Sequence, residues 1–148
     1  MPHTIHLHRV IKAPPERLYR AFTDPLAMNK WLPPHGFVGQ VHEMDVREGG
    51  RWRMSFTNFA GQAVHSFGGE YLEVKSGARL RYSSQFDDTH LPGQMITTVV
   101  FKAVFCGTEL SVTQEGIPDM IPPEACHLGW QESLQLLTLL VEPDIPNG

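Results

Sequence analysis

The end of the chain carries one long amphipathic helix, and this segment constrains the fold more than any other. Two prolines and a glutamate at residues 122–124 are typical of a helix start, and Pro143 ends the helix after Glu142. At 100° per residue, four apolar side chains fall within about 80° of Trp130. They are Leu134, Leu137, Leu140 and Val141. A helix with so broad an apolar side must lie on another layer of structure.

The segments before this helix predict that the other layer is a β-sheet. Apolar and polar residues alternate in short stretches that are separated by turns, and Gly49-Gly50 predicts a hairpin. We predict about six or seven strands, including residues 4–11, 51–56, 64–75, 80–86, 96–105 and 110–115. Two short helices follow the first strand, one stopped at Thr23 and one capped by Asp24 and ending near Trp31. Grouped strands with a segregated helix make an α+β fold, whose curled sheet leaves room for an apolar pocket under the helix.

Glycines inside two of these elements carry specific expectations. Gly68-Gly69, within the strand over residues 64–75, predicts a bulge or kink. Plain alternation places Glu70 on the same face as Leu72, and a bulge would reverse that assignment. Gly129 costs its helix about 1 kcal/mol relative to alanine, so we expect it to allow close approach to the sheet.

Composition narrows the classes of function. The chain has 12 Lys and Arg against 16 Asp and Glu, a net charge of −4. It therefore has no basic footprint for nucleic acid or for an anionic membrane. Its 148 residues suit one domain, residues 1–148. The apolar stretch at 134–141 is too short to span a bilayer, and no signal peptide opens the chain, so we expect a cytoplasmic protein.

Histidines and cysteines give no pattern of a metal or nucleophilic site. His6 and His8 project from one face of the first strand, but no third or fourth ligand accompanies them. Cys106 and Cys126 do not form a CxxC pair, and Cys126 is expected to be a buried or inert thiol. Hydrolase-elbow, phosphate-loop and dinucleotide motifs do not occur. We therefore expect neither a metal nor a cofactor, and we assign no catalytic residue.

Several short motifs occur in a fixed order from residue 13 to residue 137. They are Ala13-Pro14 with Leu18, Thr23-Asp24-Pro25 with Trp31, Gly49-Gly50, Gly69-Glu70-Tyr71 with Leu80, Gly107-Thr108, Gly116, and Gly129-Trp130 with Leu134 and Leu137. In this order they resemble the helix-grip fold of the START-like, or SRPBCC, superfamily. Within it they are most similar to the activator of heat-shock protein 90 ATPase homologues. The resemblance implies a single START-like domain in which a curved antiparallel sheet wraps on the long C-terminal helix.

The resemblance implies that a small hydrophobic or amphipathic ligand binds between the sheet and the C-terminal helix. Two alternatives stay open. One is an enzyme of the cyclase or dehydratase kind that uses Tyr82, Glu70 or Gln114 as polar groups in the cavity. The other is a co-chaperone-like interaction module. The eukaryotic co-chaperones of the family carry a separate N-terminal domain, whereas this sequence begins directly at the first strand.

Candidate ligand-binding residues are the large apolar and the few polar side chains expected to face this cavity. The aromatic members could equally be ordinary core. The candidates are Trp52, Met54, Phe56, Tyr82, Phe86, Phe101, Gln114, Trp130, Leu134 and Leu137.

The outer face of the last helix predicts one further contact. Leu128 and Leu139 fall about 160° to 180° from Trp130, on the side away from the apolar face. Two leucines on one outward line could mark a contact between two copies of the chain, so a homodimer is possible.

Overall fold

The computed structural model describes residues 3–146, which form seven strands and three helices. In chain order the elements are β1 (His3–Ile11), α1 (Pro15–Thr23), α2 (Pro25–Trp31), β2 (Phe37–Met44), β3 (Arg51–Asn58), β4 (Val64–Lys75), β5 (Arg79–Phe86), β6 (Met95–Val104), β7 (Gly107–Ile117) and α3 (Pro123–Val141). The sequence pattern alone did not place β2, which lies before the Gly49-Gly50 turn.

All seven strands of the described chain belong to one antiparallel sheet in the order β1-β7-β6-β5-β4-β3-β2. Strands β2 to β7 follow one another as hairpin neighbours, and β1 pairs with β7 at the far edge. The sheet curves around α3, whose buried residues belong to the same apolar cluster as the inward residues of the strands. The structure therefore confirms the α+β helix-grip fold and its two short helices after the first strand.

The second short helix, α2, covers the β2 edge of the sheet, whereas α1 packs against β6, β7 and α3. Asp24 caps α2 because its Oδ1 accepts hydrogen bonds from the backbone N–H groups of Leu26 (2.9 Å) and Ala27 (3.4 Å). On α2, Asn29 Oδ1 accepts a hydrogen bond from the backbone N–H of Val41 over 2.7 Å. This bond satisfies a donor that an edge strand would otherwise leave unpaired.

No bulge lies at Gly68-Gly69, since β4 keeps one register with β3 through these positions and the same register with β5 on either side of them. The pairing with β5 is interrupted at Gly69 and Glu70, where the Glu70 N–H donates to the Ser83 hydroxyl over 3.0 Å. The register shift lies further along, between Tyr71 and Glu73. A Cβ atom on Gly69 would lie 2.0 Å from the carbonyl oxygen of Ser83. The glycine is therefore required by the close approach of two backbones and not by a bulge.

This register decides which side chains of β4 point inward. Phe67 and Tyr71 are buried under α3, whereas Glu70 and Leu72 are exposed on the opposite face. Glu70, considered above as a polar group of the cavity, therefore lies outside it.

One end of the core is filled by a row of aliphatic residues across four strands. Each member lies directly opposite the next, and none is more than 5% exposed. The row consists of Leu7, Val112, Val99 and Leu80. Leu134 and Leu137 of α3 belong to the same cluster and are also fully buried. Such dense packing holds the helix on the sheet.

Candidate functional site

The other end of the core is an open cavity of about 350 Å³. Its walls come from strands β2 to β7, from α2 and from the N-terminal half of α3. Most of its lining residues are buried or half-buried, whereas Ala125 on α3 and His65 on β4 are exposed. These two residues mark the mouth, which lies at the end of the sheet where α3 begins.

Seven of the ten sequence-predicted residues line this cavity. Alternation along the strands brings them together, because every second residue of β3 and β5 points toward α3. The seven are Trp52, Met54, Phe56, Tyr82, Phe86, Gln114 and Trp130.

The other three candidates lie in the filled part of the core. Phe101 packs edge-on against Tyr19 and Phe22, with ring centroids 5.8 Å and 5.4 Å apart. Leu134 and Leu137 are 1% and 0% exposed and lie one and two turns further along α3 than Trp130. The structure therefore places these three side chains where they contribute to folding, away from the cavity lining.

Gly129 has a different role from the one expected. A Cβ atom at this position would have no other heavy atom within 4 Å, so close approach to the sheet is not the reason for the glycine. Gly129 lies between the cavity-lining residues Ala125 and Ser133, each one turn away on the helix. Its missing side chain therefore leaves space at the cavity wall.

Sequence reasoning missed other lining residues, among them Phe37, Phe67 and Tyr71. Phe37 begins β2, whose pattern was not recognised. Phe67 and Tyr71 lie on β4, where alternation defines two faces but does not say which one is concave. The aromatic residues on either side of Gly68-Gly69 were the available signal, since glycines inside a strand often mark the close approach of another backbone.

Gln114 is the centre of the polar contacts in the cavity wall. Its Oε1 accepts hydrogen bonds from Trp130 Nε1 and from the Cys126 thiol, both over 3.2 Å. Its Nε2 donates to Thr97 Oγ1 over 3.0 Å. The amide of a buried glutamine is thus held from both sides, as a polar group in an apolar wall must be.

Burial controls the titration of the groups beside Gln114. It raises the pKa of the Cys126 thiol to about 11, so this thiol stays protonated and weakly nucleophilic at neutral pH. Burial also raises the pKa of the Tyr71 and Tyr82 hydroxyls well above their ordinary value. For Tyr82, a hydrogen bond with Thr97 acts in the opposite direction but is outweighed. All three groups are therefore neutral near pH 7.

Apart from His65, which is exposed at the mouth, the cavity wall offers no unpaired ionisable Asp, Glu, Lys or Arg among its described residues. None of them is an aspartate or glutamate, and Arg53 is the one lysine or arginine. Arg53 is already paired, with its Nη2 2.5 Å from the carboxylate of Asp87 at the end of β5. The wall therefore suits an uncharged molecule.

Comparison with known proteins agrees with the architecture. Residues 12–142 match the family model described as Activator of Hsp90 ATPase homolog 1-like protein (AHSA1). The chain belongs to this family. It thereby also fits the START-like superfamily, as the motifs from residue 13 to residue 137 predicted. None of the curated proteins matches this AHSA1-family chain.

Solved structures share the fold of this AHSA1-family protein. A crystal structure of a protein from Chromobacterium violaceum is 60% identical with a TM-score of 0.95, covering 97% of this chain and 100% of that chain. The AHSA1-like protein from Aeromonas hydrophila, solved by NMR, is 22% identical with a TM-score of 0.77, covering 95% and 92%. A protein from Nitrosomonas europaea is 18% identical with a TM-score of 0.81, covering 94% of each chain. The last two show a common fold alone.

Within residues 3–146, no three His, Cys, Asp or Glu side chains come together as a metal site would require. His6 instead contacts the Thr113 hydroxyl (3.1 Å), and His8 lies 3.5 Å from the Glu109 carboxylate, both on the outer face of the sheet. No helix in the described part of this AHSA1-family chain has the length and hydropathy needed to cross a membrane.

Proposed function

We propose that this protein binds a small apolar or amphipathic molecule in the cavity between the sheet and α3. The observation that carries the proposal is the contrast between the two ends of one core. At one end the apolar side chains are fully buried, and the other end holds a cavity of about 350 Å³ lined by aromatic and methionine side chains. Protein interiors normally pack as densely as organic crystals, and an unfilled apolar space forfeits dispersion contacts. A bound molecule restores those contacts.

The distribution of polar groups supports binding more than catalysis. An acid–base reaction needs groups that exchange protons near neutral pH. Tyr71, Tyr82 and Cys126 hold their protons because they are buried, and no carboxylate lies among the described lining residues. Glu70, the carboxylate considered for a cyclase-type reaction, is on the outer face of the sheet. Retention of a ligand is therefore the function that this geometry supports best.

Gly129 provides a direct test, because a Cβ atom there would meet no atom outside its own helix and a longer side chain would extend into the cavity. Gly129→Leu should weaken binding of the neutral fluorescent probe N-phenyl-1-naphthylamine by more than tenfold. Folding should be retained, since leucine is a better helix former than glycine. Gln131→Leu adds the same side chain to an exposed position of the same helix and serves as the matched control.

Two measurements decide the outcome. Fluorescence titration of wild type and both variants gives the dissociation constants, and urea unfolding shows that all three are folded. Loss of probe binding in Gly129→Leu alone would support the cavity as the binding site. Absence of probe binding to wild type, or equal binding by Gly129→Leu, would refute it.

A further inference from the structure

A row of polar side chains crosses the floor of the cavity, perpendicular to the strands. Tyr71, Tyr82, Thr97 and Gln114 lie on β4, β5, β6 and β7, and each is the direct cross-strand partner of the next. All four are buried, at 9% exposure or less. This polar row lies one inward position closer to the mouth than the aliphatic row, so it forms the boundary between the filled core and the cavity.

The hydrogen bonds along this polar row have a fixed direction, which Trp130 sets. An indole N–H can only donate, so the Gln114 atom that faces Trp130 must be the oxygen. The Cys126 thiol donates to the same oxygen. The Gln114 nitrogen therefore faces Thr97, and the Thr97 oxygen accepts its hydrogen bond over 3.0 Å.

The same direction continues from Thr97 to the tyrosines. Thr97 is completely buried, so its own hydroxyl proton needs an acceptor, and the hydroxyl of its cross-strand partner Tyr82 is the group placed to supply one. When the Tyr82 oxygen accepts that proton, the phenolic proton of Tyr82 remains to donate elsewhere. Tyr71 lies beside Tyr82, and no described residue accepts a hydrogen bond from its hydroxyl. The row thus ends in two O–H donors on residues that line the cavity.

From this arrangement we propose that the cavity selects an uncharged ligand that carries a hydrogen-bond acceptor, such as a carbonyl or ether oxygen, which Tyr82 and Tyr71 bind. The inference rests on the proposed function, because it names the class of molecule for the same cavity. Hydrogen bonds in a chain polarise one another, so a donor at the end of the row is stronger than an isolated hydroxyl.

Charged ligands fit the same site poorly. A carboxylate on the polar row would lose its hydration beside neutral hydroxyls, since Arg53 is held by Asp87 and His65 lies exposed at the mouth. An ammonium group would find no carboxylate among the described lining residues. The hydroxyl donors of Tyr71 and Tyr82 are therefore best matched by an uncharged hydrogen-bond acceptor.

Four compounds with one carbon skeleton test this selection: propylbenzene, 1-phenylpropan-1-one, 3-phenylpropanoate and 3-phenylpropylamine. Each is titrated against N-phenyl-1-naphthylamine bound to the intact protein. Relative to propylbenzene, the ketone should lose roughly 3- to 10-fold in affinity in Tyr82→Phe, the range for one hydrogen bond. Tyr71→Phe should cause a smaller loss and leaves the Thr97–Tyr82 contact intact, so it also serves if Tyr82→Phe does not fold. Thr98→Val, which removes a hydroxyl from the outer face of β6, should change nothing.

The outcomes separate this inference from the proposed function. Selective loss of the ketone in the two variants, with both charged compounds bound at least tenfold more weakly, would support the inference. Equal effects on ketone and hydrocarbon, or tightest binding of the carboxylate or the amine, would overturn it while leaving the cavity a binding site. Failure of all four compounds and of the probe to bind would overturn both.

Discussion

The indole nitrogen of Trp130 donates a hydrogen bond to the side-chain oxygen of Gln114 over 3.2 Å. This bond joins α3 to β7 at the level where the filled core ends and the cavity begins. Because the Cys126 thiol donates to the same oxygen, two positions on the helix depend on one amide of the sheet. Gln114 therefore holds α3 against the sheet and also supplies a polar group to the cavity floor.

Replacement of this amide should destabilise the protein. Gln114→Leu is expected to lower the free energy of unfolding by about 1–3 kcal/mol, because it leaves the buried Trp130 N–H without its acceptor. Gln85→Leu, at an exposed position on β5, should change it by less than about 0.5 kcal/mol. Urea unfolding of both variants measures the difference. Equal stabilities would contradict the structural role of the amide.

Replacing a side chain by alanine should lower the free energy of unfolding more at the filled end of the core than at the cavity end. Leu137→Ala should lower the free energy of unfolding by about 2–5 kcal/mol, since the side chain is completely buried in the filled end. Ile121→Ala should cost less than half as much, because Ile121 is only partly buried and already borders the cavity. The same urea experiment applies, and comparable losses would mean that the cavity end is packed as tightly as the filled end.

Two glycines should respond to alanine in opposite directions. Gly69→Ala is expected to cost at least about 2 kcal/mol or to prevent folding, since its Cβ would overlap the Ser83 carbonyl and two strands would have to separate. Gly129→Ala should raise stability by about 0.5–1 kcal/mol, because its Cβ enters open space in a helix. Thermal unfolding, monitored by circular dichroism, shows whether each variant is more or less stable than wild type. A destabilised Gly129→Ala variant would show that the space around this position is already occupied.

Alkaline pH should unfold the protein together with ionisation of its tyrosines. Burial raises the pKa of Tyr19, Tyr71 and Tyr82, which are the three tyrosines of the chain. The unfolded chain releases these protons near pH 10, before the native state does. It then binds fewer protons, so stability is fully present below about pH 10 and falls as pH rises further.

Absorbance at 295 nm, recorded beside far-ultraviolet circular dichroism, tests this expectation. Tyrosinate should form only as the secondary structure is lost, and Tyr82→Phe should reduce the slope of stability against pH. A native protein that titrates all its tyrosines smoothly near pH 10 would show that the hydroxyls are accessible to solvent.

Self-association through the outer face of α3 also stays a prediction. Leu128 and Leu139 are 54% and 67% exposed, as their position on the helix predicted. If they form a contact between two copies, Leu139→Glu should reduce the mass measured by light scattering to that of a monomer. Identical masses for variant and wild type would end the idea.

The sequence predicted the fold well because its signals were local and repeated. The proline-flanked helix, the Asp24 cap and the alternation in β5 each specify one element, and the glycine turns separate the strands. The cavity was harder to predict, because alternation assigns a residue to a face but not to a depth. Leu137 and Trp130 share one side of α3, yet two helical turns separate the filled end from the cavity wall.

The polar row could not be predicted from the sequence, because it depends on how the strands pair. Tyr71 and Gln114 are 43 positions apart, and only the registers of three hairpins place them in one row. Neither residue has a sequence neighbour that indicates a partner. The direction of the hydrogen bonds along this row depends in turn on Trp130, which lies on α3 and donates to Gln114.

The division of one core into a filled end and a hollow end has an evolutionary consequence. Residues such as Leu134 and Val99 decide whether the chain folds, whereas residues such as Phe86 and Ile121 border empty space. If the cavity binds a ligand as proposed, substitutions at the hollow end can change which molecule is bound without loss of the fold. Proteins built on this plan can then differ in their ligands while they share one scaffold.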